Sequence, residues 1–210
     1  MNLIKKYKKI ILLVLIIDVL IILFHLAWGR QSVFFDLDSE GNLPTVYSGI
    51  KLIAVGALGF FVYSLKSDKK SWLWFLFGLM FVYAGFDEML ELHERIADYV
   101  AGQELISLGW YDNQVFYWPL IFAPLIIGFL IFLVHFIKYF LSQIPVVRNF
   151  FIVGGLFFVA VIFLEVAGGF LTHRPDIYFV MVTLEESFEF FSVTMFLSGT
   201  LYYINKIKTQ

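Results

Sequence analysis

"FVYAGFDEMLELHERIAD", residues 81–98, decides how this chain is read. It opens as apolar sequence of the kind that lies in lipid, then sets Asp87, Glu88, Glu91, His93 and Glu94 within eight positions. An ionised side chain at bilayer depth costs several kcal/mol, from about 2.5 upward. Acids here either leave the membrane on a wetted helix end or turn inward to a site that compensates them.

The rest of the chain establishes the solvent. Of 210 residues, 60% are hydrophobic and only 15% charged, whereas soluble domains sit nearer half apolar and a quarter charged. The composition is that of an integral membrane protein. The absence of cysteine excludes disulfides, thiolate metal sites and thiol catalysis. Four histidines (His25, His93, His135 and His173) argue against a His-rich metal cluster. Nothing in the charge pattern points to nucleic acid. The opening "MNLIKKYKKIILLVLIIDVLIILFHLAWGR" has a basic start, but its apolar run is too long for a signal peptide and no small-residue cleavage pattern follows. It reads as a retained transmembrane helix.

A helix needs about 20 apolar residues to cross the hydrocarbon core. Segments near 9–29, 47–65, 71–92, 115–138, 149–171 and 177–203 qualify, separated by "DSEGNLP", "KSDKKS", "DNQ", "SQIPVVRN" and "THRPD". The expected fold is therefore all-α: a six-transmembrane-helix bundle forming one integral membrane domain over 1–210. Pro119 and Pro124 should kink the fourth span. Threading six spans puts Lys5, Lys6, Lys8, Lys9, Lys66, Lys69, Lys70, Lys138, Arg148, Lys206 and Lys208 on one side, and Arg30, Lys51, Arg95 and Arg174 on the other. By the positive-inside rule both termini are cytoplasmic, and the chain belongs in the plasma (inner) membrane.

In that topology the acids converge in the outer, extracytoplasmic half. The third span brings Asp87 to Glu94, the fifth Glu165, the sixth Glu185, Glu186 and Glu189, and the first Asp18 and His25. On one continuous helix, at about 100° per residue, Asp87, Glu88, Glu91 and Glu94 share an arc and His93 points elsewhere. Such acids need cations, shared protons or water. Lys51, Arg95 and Arg174 lie at the outer boundary and are too few. Oxygen donors without sulfur select a divalent metal, with Mg, Mn or Ca favoured over Fe or Zn. Asp87, Glu88, Glu165, Glu185, Glu186 and Glu189 are the candidate metal ligands. Glu165 is also a candidate general base, and His93 or His173 a proton shuttle. Asp18, His25, Glu40, Asn42, Glu91 and Glu94 form a candidate surrounding shell or relay, Glu40 and Asn42 folding over the site as a cap while "LPT" starts the second helix.

Taken together, "DLDSEGNLPTVYS", "FDEMLELHE" and "LEESFEFF" resemble an uncharacterised family of prokaryotic multi-pass membrane proteins, over nearly the full length. The resemblance implies a common site built from Glu40, Asp87, Glu88, His93, Glu94, Glu185 and Glu186, and carries no substrate. The expected activity is metal-dependent chemistry on a lipid-like substrate. The alternatives are a proton- or inorganic-cation-coupled transporter using Asp18, Glu165 and Glu185/Glu186, and an accessory subunit that binds a partner or assembles as an oligomer.

Overall fold

The computed structural model describes residues 3–66, 68–102 and 118–208. Within them the chain is helical throughout, without strands. Helix α1 spans Leu3–Trp28, and two short 3-10 turns follow at Gly29–Gln31 and Val33–Phe35. Next come α2 (Leu43–Leu65), α3 (Trp72–Leu90) and α4 (Leu92–Gly102). Beyond them lie α5 (Trp118–Ile121), α6 (Ala123–Phe136), a π turn at Ile137–Leu141, α7 (Pro145–Gly169) and α8 (Pro175–Lys208).

Five stretches are long and apolar enough to cross a membrane: Tyr7–Gln31, Leu43–Leu65, Trp72–Leu90, Ala123–Leu141 and Pro145–Gly169. The sixth expected span, 177–203, is a helix inside α8 but is not in that set. The reason is positional. α8 packs on α1, α2 and α7, and its buried positions include Ser187, Ser192, Thr194, Ser198 and Thr200. A helix sheathed by other helices needs small and polar packing residues more than lipid-facing apolar ones. At 34 residues it is about 50 Å long, more than a bilayer core requires.

Local chemistry explains the boundaries. Asn42 caps α2, its side-chain oxygen accepting from the Thr45 N–H at 3.3 Å, with Pro44 in the first turn where a missing N–H is harmless. Pro145 likewise starts α7 four residues before the expected 149. The expected fourth span is divided at Phe122, between α5 and α6, with Pro119 and Pro124 on either side. Its first residues, 115–117, lie outside the described residues.

α2 and α3 meet along a glycine seam. A Cβ on Gly78 would stand 2.8 Å from the Gly56 carbonyl oxygen, and one on Gly85 would stand 2.7 Å from that of Gly49. Backbone is therefore in contact with backbone, which apolar helices in lipid use in place of a hydrophobic drive. At the end of the bundle away from the acids, aromatic rings close the core. Trp74 lies 4.7 Å from Phe136 and 4.6 Å from Tyr203, and Phe77 stacks on Phe136 at 5.3 Å. Phe151 of α7 joins them, 5.5 Å from Phe77, so α3, α7 and α8 are fixed at one end, and their acid-bearing halves surround a space at the other.

Candidate functional site

The stretch 81–98 is not one helix. α3 stops at Leu90, and Glu91 takes a left-handed conformation (φ 54°) in which its N–H still bonds the Asp87 carbonyl. The chain then turns into α4, a polar helix with Ala97 buried and Ile96 and Tyr99 exposed. This break overturns the arc expected of a continuous helix. It swings His93 back onto Asp87, with Nδ1 3.0 Å from Oδ2, while Arg95 engages Glu91 on the outside at 3.2 Å. Burial opposes charge on His93, but the hydrogen bond and the charge of Asp87, with Glu94 beyond, outweigh it and raise its pKa. With Nδ1 committed to Asp87, Nε2 is the nitrogen free to exchange a proton.

Trp118, at the start of α5, meets the His93 ring edge-on at 4.6 Å. Its indole N–H donates to Glu165 Oε1 at 2.9 Å. Glu165 in turn lies within hydrogen-bonding reach of Glu185. Two carboxyls that meet in this way need a shared proton or a cation between them.

These groups open onto a cavity of about 510 Å³. Asp38, Glu40, Asp87, Glu88, His93, Glu94, Glu165, Glu185, Glu186 and Glu189 all line it, and among the described residues no lysine or arginine does. The other walls are apolar, from Phe81 on α3 through Phe122 and Phe129 to Phe158 and Ile162 on α7. Glu189 on α8 has a hydroxyl partner, accepting from Ser48 Oγ at 2.5 Å. Asp87 Oδ1 is enclosed and has no hydrogen-bond partner among the described residues. Among the described residues no three His, Asp or Glu side chains are arranged to hold a metal ion as they stand.

The loop between α1 and α2 covers the acidic end. His25 Nδ1 accepts from the Leu37 N–H at 3.0 Å, so the proton is on Nε2, which donates to Thr183 Oγ1 at 3.1 Å. The ring also stacks on Phe179 at 4.6 Å. His25 therefore ties the loop to α8 and does not line the cavity. Asn42 holds the same loop from the other side, donating to the Val33 carbonyl at 2.9 Å. Tyr178 donates to Asp38 at 2.6 Å. Glu40 hangs from the loop into the cavity and accepts from Thr45 at 3.2 Å. Desolvation, followed by the charges of Glu94 and Glu189, pushes its pKa up to about 7. Glu91 stays at the helix break beside Gly41. His173 sits in the exposed turn before α8, outside the cavity lining.

Asp18 is also outside the lining. It is fully buried and accepts from Lys51 at 2.6 Å, Tyr47 at 2.7 Å and Thr194 at 2.6 Å. Lys51 is buried as well and donates to the Phe190 carbonyl at 2.9 Å. The lysine expected at the outer boundary is thus committed to Asp18 inside the bundle, and Arg95 to Glu91. Sequence reasoning missed Lys51 in this role, together with Ser48, Trp118, Asp38 and Tyr178. The available signal was a lone lysine one helical turn after "VYS", within an otherwise apolar helix.

Fold and site together define a helical, membrane-spanning bundle with an acid-lined cavity at one end. The chain belongs to the family described as Domain of unknown function (DUF8692), which matches residues 10–204. No curated protein and no solved structure matches it.

Proposed function

We propose that this is a six-span protein of the plasma membrane with both termini cytoplasmic, whose extracytoplasmic cavity binds a divalent cation and acts on a lipid-like substrate. One observation carries the reading: carboxylates from the α1–α2 loop, α3, α7 and α8 share a cavity in which His93 is the basic side chain among the described lining residues. Asp87, Glu88, Glu185, Glu186 and Glu189 would converge on the ion by small rotamer changes, with Glu165 a further ligand or base. An oxygen-rich set of this kind suits Mg, Mn or Ca. Such an ion supplies a Lewis acid for a phosphoryl or carbonyl oxygen and lowers the pKa of a bound water. His93, oriented by Asp87, moves the proton through Nε2.

The test is metal content of purified protein, wild type against Glu186→Gln and Asp87→Asn. The proposal expects near-stoichiometric metal in the wild type and loss in both variants. Equal, negligible metal in all three overturns it. A second reading, proton- or cation-coupled transport, is favoured by a polar path from Glu189 through Ser48 to the neighbouring Lys51–Asp18 pair. It predicts gradient-driven flux in liposomes that disappears in Glu165→Gln.

A further inference from the structure

The cavity has two chemically distinct ends and a mouth on the flank of the bundle. Two of its lining residues are also strongly exposed on the outside: Tyr83 on α3 (47%) and Leu125 on α6 (63%). The opening therefore lies between α3 and α6, on a surface where Leu79 and Phe86 share the exposed face of Tyr83. α6 is anchored to the core at its far end through Leu133 and Phe136. Its nearer part, with Phe122 of the joint, forms one cavity wall. An opening on an apolar flank admits molecules from the bilayer, not from water.

The acidic end sets the head group. With no lysine or arginine among the described lining residues, anionic head groups in the metal-free cavity meet like charge, which costs several kcal/mol. Asp87 Oδ1 is enclosed without a donor among the described residues, and no described residue donates a hydrogen bond to Glu88 or Glu186. These oxygens call for N–H donors that carry positive charge. A primary ammonium supplies three; a quaternary ammonium supplies none. Behind the acids, Phe81, Ile126, Phe129, Phe158 and Ile162 line an apolar limb, and about 510 Å³ is the size of a small-molecule site.

We infer that the cavity takes a long-chain primary amine in its ammonium form, which enters from the bilayer between Tyr83 and Leu125. The head lies among Asp87, Glu88 and Glu186, and the chain lies along α6. This rests on the proposal that the carboxylates hold a cation, and it makes the ammonium, which has no lone pair for a metal, a competitor of the metal for the same oxygens.

The experiment measures dodecylamine binding to the full chain in phosphatidylcholine nanodiscs with chelator, with empty discs as the blank. Dodecyltrimethylammonium and dodecyl sulfate serve as comparisons. Dodecylamine binds, dodecyltrimethylammonium binds about tenfold or more weakly for want of charged N–H donors, and dodecyl sulfate does not bind. Glu186→Gln weakens dodecylamine by a similar factor. Leu125→Trp, a change at an exposed position that leaves folding intact, weakens it by obstructing the mouth. Equal binding of the sulfate, or affinity within twofold of wild type in both variants, overturns the inference. Metal retained by the wild type without any amine binding overturns it and leaves the metal site standing, whereas failure of both metal and amine to bind sinks both.

Discussion

Replacing Lys51 by Met is the sharpest probe of how the bundle is held beneath the cavity. The methionine keeps most of the stem volume and removes the ammonium. Asp18, with no exposed surface, would keep only the hydroxyls of Tyr47 and Thr194, and the Phe190 carbonyl would lose its lysine donor. Stranding one half of a buried ion pair costs about 3–5 kcal/mol. For a chain of this size each kcal/mol is about 2–4 °C in Tm, so a fall of about 6–20 °C is expected. Thermal unfolding in a mild nonionic detergent measures it. Much of the loss comes from the uncompensated charge, so the double variant Asp18→Asn/Lys51→Met should recover at least half of the fall. A single variant within about 2 °C of wild type, or a double variant no better than the single, would refute the reasoning.

Glu40 predicts a pH effect in metal-free protein. Its pKa is raised to about 7 in the fold from an unfolded value near 4.5, so the folded state binds the extra proton. The stability this contributes is fully present below about pH 4.5 and is lost as pH rises through about 7. Protection of the 36–42 loop against hydrogen exchange, taken relative to the intrinsic rate at each pH, should fall between pH 5 and 8, and Glu40→Gln should flatten that change; an unchanged profile in the variant counts against it. Gly78→Ala forces a methyl group against the Gly56 carbonyl at 2.8 Å, where over-packing costs about 1–3 kcal/mol, and should lower Tm measurably. Glu91→Val puts a β-branched residue at φ 54°, a strained position for about 1–3 kcal/mol. It should separate His93 from Asp87, so the His93 pKa measured by NMR should fall toward the ordinary value, while Glu91→Gly should leave it in place.

Hydropathy revealed the apolar helices because lipid-facing segments must be apolar along their length, as in α1 and α7. It also marked α8, expected at 177–203 and observed as Pro175–Lys208, although the glutamates and serines of that helix depart from the apolar pattern because its neighbours are protein. The α3–α4 break stayed hidden. Left-handed helix ends are normally signalled by glycine or asparagine, and here the residue is Glu91. With the break unseen, His93 was assigned to the wrong side of Asp87. The convergence of Asp87, Glu88, Glu165 and the α8 glutamates on one end followed from counting helices and alternating their directions. The partners of individual acids did not follow, since pairing Lys51 with Asp18 or Trp118 with Glu165 depends on helix rotation and packing that periodicity leaves open.

The central claim is that these carboxylates share one cation. The most direct measurement is a structure of the Mn²⁺-loaded protein with anomalous data collected at the manganese edge. The account predicts a single strong peak in the cavity, within bonding distance of oxygens from both Glu88 on α3 and Glu186 on α8. Loaded protein with no peak in the cavity, and with Glu88 and Glu186 still apart, would contradict it.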